Sequence, residues 1–536
     1  MPLSYAKGPD EPILELTIDQ GFRATVVRHP ERPALVVSHQ DVRLTWRELD
    51  EHVERTARGL AGLGLQPGSR LGVWSTNNLE WILLQLAAAR AGMVLVNVNP
   101  AYRTHELSYV LEKSGIEALF LRERDTRADY RQIFEASRPA NLRHAVYFGH
   151  DSWVRFLAGG TEYAQPQSGP EDVANIQYTS GTTGSPKGVL LTHRNLVNNA
   201  WLIAGRLHLT EEDKLCSPVP LYHCFGCVMS SLVCFLTGAT LILPAAQFDA
   251  LATLQAIHQE RATAVYGVPT MFIAQLQHPA FAQFDLTSLR TGIMAGAPCP
   301  IEVMRRVIAG MHCGEMTIAY GQTESSPVIT QSRANDSIEK RVGTVGCAMP
   351  NTEVKIVSPN TGETLPAGEI GELCTRGYLV MKGYDGNAEA TAEAIDTEGW
   401  LHTGDLAVMS EDGYFGIRGR ARDMIIRGGE NIYPREIEEF LFTHPAISDV
   451  SVFGLPDERL GEIVCAWVRL KPGAAATGEE IRDYCRNRIA HFKVPQYVRV
   501  VEAFPMTVTG KLQKFRMRES EIAERGLGGA AGIRTA

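Results

Sequence analysis

The chain has 536 residues, of which 44% are hydrophobic and 21% are charged, a composition that argues against extensive disorder. Its length predicts three or four domain equivalents and a core that needs no metal or disulfide. The 52 Lys and Arg stand against 61 Asp and Glu, for a formal net charge of −9, so charge gives no reason to expect nucleic acid as a partner.

Targeting and membrane signals are absent from the sequence pattern. Residues 1–10 lack the basic start and apolar run of a secretory signal. The longest apolar stretch, Trp81–Val98, is interrupted by Arg90 and Gly92, which argues against a membrane span. Ten cysteines are too few for a disulfide scaffold. We therefore expect a reduced, cytoplasmic protein with no membrane span.

Helical and strand patterns alternate along the first 419 residues. Apolar residues at helical spacing predict a helix over Trp46–Leu63, and Gly92 is expected to end a second helix over Glu80–Ala91. Further predicted elements are the strands Arg70–Ser75, Met93–Val98 and Glu315–Tyr320, and a helix after Pro300. This alternation favours an α/β fold with layers of largely parallel sheets.

Beyond residue 419 the pattern changes to a compact run of short elements. A helix is predicted over Pro434–Phe442, and Thr477 with Glu480 forms a capping-box pattern for a helix that reaches about Arg488. Strands are predicted over Ser448–Phe453, Ile463–Leu470 and Tyr497–Val501. We therefore expect a large N-terminal body of several α/β subdomains, a small α+β C-terminal domain and a Gly/Ala-rich flexible tail, over residues 1–419, 420–524 and 525–536.

The strongest local signal is the segment from Tyr178 to Gly188, Tyr-Thr-Ser-Gly-Thr-Thr-Gly-Ser-Pro-Lys-Gly. Its glycines let the backbone amides approach a polyphosphate, and its hydroxyls and Lys187 add donors and a positive charge. Lys187 is one of only 11 lysines. The segment departs from the P-loop pattern, because Pro186 and Gly188 stand where that pattern has its second Gly and its Ser or Thr. It predicts a polyphosphate site of another kind.

Further motifs follow in order: Met294-Ala-Gly-Ala-Pro298, Tyr320-Gly-Gln-Thr-Glu324, Gly399-Trp-Leu-His-Thr-Gly-Asp405, Gly419-Arg-Ala-Arg-Asp423, Arg427-Gly-Gly-Glu-Asn-Ile-Tyr-Pro434 and Pro505-Met-Thr-Val-Thr-Gly-Lys511. With the loop, they resemble those of the adenylate-forming superfamily: acyl-CoA synthetases, aryl-CoA ligases, beetle luciferases and nonribosomal adenylation domains. The segments Asn97–Tyr102 and His491–Pro495 are most similar to medium-chain fatty acyl-CoA synthetases. The resemblance implies that Mg-ATP and a hydrophobic acid give acyl-AMP and pyrophosphate, and that CoA then gives acyl-CoA and AMP.

The resemblance also implies an ATP site. The β- and γ-phosphates would be held by Thr179, Ser180, Gly181, Thr182, Thr183, Gly184, Ser185, Pro186 and Lys187. The adenine would lie against Gly296, Ala297, Pro298, Tyr320 and Gly321. Thr323 would donate to the α-phosphate, Glu324 would coordinate Mg²⁺, and Asp405 would accept hydrogen bonds from the ribose beside Arg420.

Four residues are expected to be catalytic: Thr182, His223, Glu324 and Lys511. Lys511 would also bind ATP, and it would offset the negative charge that builds when a carboxylate attacks the α-phosphorus. Because Lys511 lies far in sequence from the phosphate loop, the resemblance implies a mobile C-terminal domain with its hinge at Arg422. After rotation of this domain, Gly428 and Gly429 would line the CoA channel.

The acid pocket is expected to include Tyr222, His223, Cys224, Tyr266 and Gly321, with His223 beside the substrate carboxylate. Since no acidic residue is present among residues 222–224 to pair with an ammonium group, we expect an acid with an uncharged hydrophobic tail. The cysteines at 224 and 227 lack a second pair at zinc-finger spacing, so we expect no zinc.

Three alternatives stay open. The acceptor of the acyl group could be a carrier protein instead of CoA, or the protein could be a nucleotide or acyl-CoA sensor without turnover. The presence of both Lys511 and Glu324 argues against a sensor. Luciferase-like oxidation is the third alternative. The sequence does not determine the acyl chain length or the oligomeric state, and a homodimer is one of the open states.

Overall fold

The computed structural model describes residues 2–164, 166–179, 186–297, 299–420, 423–427, 430–457, 459–486, 488–506 and 512–527, without the side chains of Glu430 and Asn431. Its strands, in chain order, are β1 Tyr5–Lys7, β2 Pro33–Val37, β3 Val42–Thr45, β4 Arg70–Trp74, β5 Val94–Val98, β6 Ala118–Leu121, β7 His144–Tyr147, β8 Val173–Thr179, β9 Lys187–Thr192, β10 Lys214–Cys216, β11 Thr240–Leu243, β12 Ala264–Gly267, β13 Thr291–Ala295, β14 Glu315–Gly321, β15 Val328–Gln331, β16 Cys347–Ala348, β17 Thr352–Val357, β18 Gly371–Gly377, β19 Gly383–Tyr384, β20 Leu401–Met409, β21 Phe415–Arg420, β22 Ile425–Arg427, β23 Glu430–Ile432, β24 Ile447–Asp457, β25 Gly461–Leu470 and β26 Tyr497–Val500.

The helices, in chain order, are α1 Ile18–Arg28, α2 Trp46–Gly62, α3 Leu79–Arg90, α4 Thr104–Ser114, α5 Tyr130–Glu135, α6 Asp151–Ala158, α7 His193–Arg206, α8 Cys224–Gly226, α9 Val233–Thr237, α10 Ala250–Glu260, α11 Pro269–Leu276, α12 Ile301–Gly310, α13 Ile338–Gly343, α14 Ala388–Ala394, α15 Pro434–Leu441, α16 Gly478–Cys485 and α17 Lys514–Arg525. A π-helical turn, Cys227–Leu232, joins α8 to α9.

Two large sheets form the predicted α/β layers. The first has the order β19-β9-β8-β5-β4-β6-β7, and the second has the order β16-β15-β14-β13-β12-β10-β11-β2-β3. Their central strands are parallel. Antiparallel strands lie at both edges of the second sheet and at the β19 edge of the first, whereas β7 at the other edge is parallel to β6. The prediction of largely parallel sheets is therefore confirmed for these two layers.

Helix α3 is buried along nearly its whole length and belongs to the large core that extends from one sheet to the other. Its Arg90 is only 2% exposed. The guanidinium donates to Asp19 at 2.8 Å and to Asp50 at 2.5 Å, so its charge is paired inside the core. In the part of the chain that the structure describes, no helix combines the length and the apolar character needed to cross a membrane.

A third N-terminal sheet was not predicted. It has the order β1-β17-β18-β20-β21, and every one of its pairings is antiparallel. Along β17 and β20 buried residues alternate with half-buried ones, as in a sheet that covers a core with one face. Because β21 runs through Arg420, this sheet extends one residue beyond the predicted end of the N-terminal body.

The remaining elements form a separate sheet, with the order β23-β22-β25-β24 and with β26 parallel to β25. Helices α15 and α16 cover one core of this sheet, and α17 covers another that includes Trp467 and Met517. The predicted capping box of α16 is confirmed, but the helix ends at Cys485 and not near Arg488, because the backbone becomes extended at Arg486. Likewise α17 continues to Arg525, inside the expected tail.

Candidate active site

A cleft of about 1630 Å³ is lined by residues of all four sheets. It brings together the described residues of the predicted ATP and acid sites, with the exception of Tyr266: Thr179, Pro186, Lys187, Tyr222, His223, Cys224, Gly296, Ala297, Tyr320, Gly321, Thr323, Glu324, Asp405 and Arg420. The other predicted residues lie outside the described part of the chain: Ser180, Gly181, Thr182, Thr183, Gly184, Ser185, Pro298, Arg422, Gly428, Gly429 and Lys511.

Asp405 connects two sheets at the predicted ribose site. It lies on β20, is 6% exposed, and receives a hydrogen bond from the Tyr320 hydroxyl at 2.7 Å. Arg420, its ladder partner on β21, lies 2.9 Å from the other carboxylate oxygen. Burial and the Asp405 carboxylate raise the pKa of Tyr320, so its hydroxyl stays protonated and donates. Asp405 is thus held as an oriented carboxylate, an acceptor suited to sugar hydroxyls.

The phosphate-loop segment connects two antiparallel strands. Thr179 ends β8 and is the ladder partner of Lys187, which begins β9. A P-loop instead leads from a strand into a helix, so this geometry agrees with the sequence departure from that pattern. The Lys187 ammonium lies 4.9 Å from the centre of the Tyr384 ring, a cation–π distance.

Tyr384 is a site residue that the sequence reasoning missed. Its hydroxyl donates to Glu324 Oε1 at 3.0 Å, and the backbone carbonyl of Glu324 accepts from Met381 at 2.9 Å. Tyr384 therefore connects the predicted Mg²⁺ ligand to the loop lysine. No local pattern could have revealed this, because β19 is 60 residues beyond Glu324 in sequence.

His223 directly precedes α8 and lines the cleft where the sequence predicted the acid to bind. Its Nδ1 accepts from the backbone N–H of Phe225 at 3.3 Å, so the neutral ring carries its proton on Nε2. Tyr266 is fully buried, and its ring stacks against Phe225 with centroids 5.9 Å apart. The structure therefore places Tyr266 behind the wall of the cleft and not on its surface.

His402 belongs to a polar cluster next to the ribose site that the sequence reasoning did not single out. Hydrogen bonds with Cys374 and with Glu372 raise the pKa of His402 to about 10. Glu372 also accepts the backbone N–H of Gly404 at 2.9 Å, directly before Asp405. Ligand-type atoms of Glu372, Cys374 and His402 lie within 4.8 Å of one another. Because the imidazolium has no lone pair to offer, this cluster is an ion pair at neutral pH.

The segment on both sides of residues 507–511 borders the same cleft. Met506 and Leu512 line it and form an antiparallel bridge with each other. Lys514 donates to Glu438 Oε1 at 2.8 Å and to the Val452 carbonyl at 2.9 Å, which anchors the start of α17 to the C-terminal sheet. The residues that flank Lys511 in sequence thus lie at the cleft that holds Tyr320 and Asp405.

Sequence comparisons identify the family. The profile described as AMP-binding enzyme matches residues 22–385, and that of the AMP-binding enzyme C-terminal domain matches residues 436–511. This chain belongs to the AMP-binding enzyme family. The predicted membership in the adenylate-forming superfamily is therefore confirmed.

Individual relatives of this AMP-binding enzyme cover nearly all of it. The YngI protein of Bacillus subtilis (strain 168) is 46% identical over 95% of this chain and 98% of its own length. Mitochondrial medium-chain acyl-CoA ligase ACSF2 of Mus musculus is 42% identical over 96% of this chain and 89% of its own.

Among solved structures, ATP-bound MatB of Rhodopseudomonas palustris has a TM-score of 0.86 at 29% identity, over 94% of this chain and 99% of that one. Apo MatB has a TM-score of 0.77 at 29% identity, over 95% and 99%. The predicted adenylate-forming fold, a large N-terminal body with a C-terminal domain, is confirmed.

Proposed function

We propose that this AMP-binding enzyme is an ATP-dependent, AMP-forming acid–CoA ligase that acts on a hydrophobic, medium-chain acid. The observation that carries the proposal is the convergence of Lys187, Glu324, Asp405 and His223 on one cleft. ACSF2 of mouse is named a medium-chain acyl-CoA ligase, which supports the acid class.

The first half-reaction begins with binding of ATP. The loop that Thr179 and Lys187 border holds the β- and γ-phosphates, Tyr320 stacks on the adenine and Asp405 accepts from the ribose. Glu324 fits Mg²⁺, because it offers a carboxylate in the cleft with the Tyr384 hydroxyl orienting one of its oxygens. When bound, Mg²⁺ neutralises part of the phosphate charge.

Attack by the acid follows. The proton on Nε2 of His223 orients the substrate carboxylate, whose oxygen bonds to the α-phosphorus. The bond from the α-phosphorus to the bridging oxygen breaks, and pyrophosphate leaves with the electron pair. We assign Lys511 to the negative charge that builds in this step.

The second half-reaction replaces AMP by a thiol. The C-terminal domain, residues 420–524, rotates about Arg422, withdraws Lys511 and brings Gly428 and Gly429 to the pantetheine arm of CoA. The thiol sulfur bonds to the acyl carbon and the thiol proton goes to solvent. The bond from the acyl carbon to the phosphate oxygen breaks, and AMP leaves with the electron pair. The position of Met506 and Leu512 at the cleft, on either side of residues 507–511, supports the adenylate-forming orientation as the one in this structure.

The cellular location, the absence of zinc and the oligomeric state are also proposals. We propose a cytoplasmic location, because the free cysteines suit a reducing compartment and nine of the ten are buried. The relatives named mitochondrial make an organelle the alternative. We also propose that the chain binds no zinc and forms a homodimer, for which metal analysis and light scattering of the purified protein are the tests.

The decisive experiment measures pyrophosphate and AMP release from ATP with a panel of carboxylic acids, with and without CoA. We expect multiple turnovers only with CoA and a hydrophobic acid, and an acyl-CoA product of matching mass. Turnover that does not need CoA, or no turnover with any acid, contradicts the proposal. Multiple turnovers with an acyl carrier protein in place of CoA would favour the carrier-loading alternative.

A further inference from the structure

Four buried polar side chains form one hydrogen-bonded group beside the proposed acid site of the cleft. Asn97, Asn175, Gln177 and Cys227 are each at most 5% exposed. Asn97 lies on β5, Asn175 and Gln177 lie on β8, and Cys227 begins the π-helical turn. Asn97 and Gln177 line the cleft. This group places amides in a cleft for which the sequence predicted an acid with an uncharged hydrophobic tail.

Backbone carbonyls determine which way these amides point. Asn175 Nδ2 donates to the Leu95 carbonyl at 2.8 Å and to Asn97 Oδ1 at 2.9 Å. Asn97 Nδ2 donates to the Tyr222 carbonyl at 3.2 Å. Because a carbonyl oxygen only accepts, the nitrogen and oxygen of both amides are assigned without ambiguity. Asn175 Oδ1 is therefore an acceptor, and the atom of Gln177 that lies 2.7 Å from it must be Nε2.

The same assignment leaves one polar atom of the Gln177 side chain, Oε1, without a hydrogen bond to any residue that the structure describes. Its Nε2 gives one hydrogen to Asn175 Oδ1 and the other to Cys227 Sγ at 3.3 Å. Both donors are used, and Oε1 has no hydrogen-bond partner among the described residues. Gln177 lines the cleft, and Oε1 is the amide atom that the bonds to Asn175 and Cys227 leave over for a ligand there.

We infer that Gln177 Oε1 is a specificity-determining acceptor, and that the preferred acid carries a hydroxyl on its tail that donates to it. This inference rests on the proposed acid–CoA ligase function. Phe225 and Met229 also line the cleft, and each is two residues from Cys227, which accepts from Gln177. A plain methylene chain beside them would cover Oε1 and exclude water from it without replacing the hydrogen bond. The amide cannot turn to offer its NH₂ group without losing both bonds to Asn175 and Cys227. The position therefore selects donors over acceptors.

The first test uses the protein without substitutions and varies only the carboxylic acid. Pyrophosphate–ATP exchange without CoA is measured with octanoate, with its monohydroxylated isomers and with the methyl ether of each isomer. We expect one isomer to exceed octanoate about tenfold in kcat/KM, equivalent to about 1.4 kcal/mol. Its ether, which cannot donate, should show no advantage. An ether as good as its alcohol, or no preferred isomer, overturns the inference.

Two variants locate the effect. Gln177→Met keeps the length of the side chain and should abolish the hydroxyl preference. Cys227→Ala should retain the preference, because Asn175 Oδ1 still orients the amide. Preservation of the preference in Gln177→Met contradicts the inference, as does a change confined to KM for CoA, which would assign Oε1 to a pantetheine N–H. If Gln177→Met does not fold, the alcohol and ether series decides.

The two proposals fail in different ways. Turnover of octanoate without any hydroxyl preference refutes only the role of Gln177. Absence of exchange with every acid refutes the proposed function itself.

Discussion

The hydrogen bond from Tyr320 to Asp405 predicts a specific change in ATP affinity. Tyr320→Phe removes the hydroxyl that donates at 2.7 Å and keeps the ring that we propose to stack on the adenine. A hydrogen bond to a charged group contributes about 1.5–3 kcal/mol. Because Arg420 still holds the other carboxylate oxygen at 2.9 Å, we take the lower value, which corresponds to about a tenfold rise in KM for ATP.

The effect should lie in KM, because the proposed contact of Asp405 with the ribose would be the same in the ground state and the transition state. The assay is the initial rate of pyrophosphate release against ATP concentration, at saturating acid and CoA. Tyr414→Phe is the matched control, since its hydroxyl donates to Asp336 Oδ1 at 2.6 Å and Tyr414 does not line the cleft. Equal KM values for the two variants, or a loss confined to kcat, would refute the role of the Tyr320 hydroxyl.

Three further predictions address other parts of the molecule. Lys511→Ala should slow acyl-AMP formation at least about 100-fold and leave thioester formation from added acyl-AMP unchanged. Lys471→Ala is the control. Equal losses in both half-reactions would contradict the proposed rotation of the C-terminal domain. Tyr384→Phe should raise the Mg²⁺ concentration for half-maximal pyrophosphate release about tenfold, because the Glu324 carboxylate loses its orienting donor; an unchanged Mg²⁺ dependence would count against this. Burial lowers the pKa of His193 to about 4. As the pH falls, the unfolded chain therefore binds a proton at this position before the folded chain does, and the free energy of unfolding should fall by about 3 kcal/mol between pH 6.5 and 4. Urea unfolding of His193→Gln should show a correspondingly shallower pH dependence.

Local patterns predicted those elements whose causes are local. The helix expected over Trp46–Leu63 is present as α2, because its apolar spacing matches the buried face. The capping box of Thr477 and Glu480 is formed as predicted, with Glu480 accepting the Thr477 N–H at 2.7 Å. The predicted end of α16 near Arg488 was wrong, because the backbone becomes extended at Arg486, and Ile489 packs on the core beyond the end of the helix.

Features that depend on distant parts of the chain could not be predicted. Strand β1 pairs with β17, with Tyr5 opposite Lys355, and no pattern in either segment predicts this pairing. The sequence likewise shows Gln177 only as a polar residue before the phosphate loop. The orientation of its side-chain amide is determined by backbone carbonyls on β5 and on the segment before the π-helical turn. These carbonyls come together only in the folded chain.

The convergence of three sheets explains why motifs alone located so much of the candidate site. Lys187 begins a strand of the first sheet, Tyr320 lies on the second and Asp405 on the third. Lys187 and Tyr320 lie at or next to an end of their strands and Asp405 lies in the middle of β20, and all three line the cleft. The net charge of −9 is therefore a poor guide to polyanion binding, because a few oriented donors at the cleft act over a few ångströms while distant surface charges are screened.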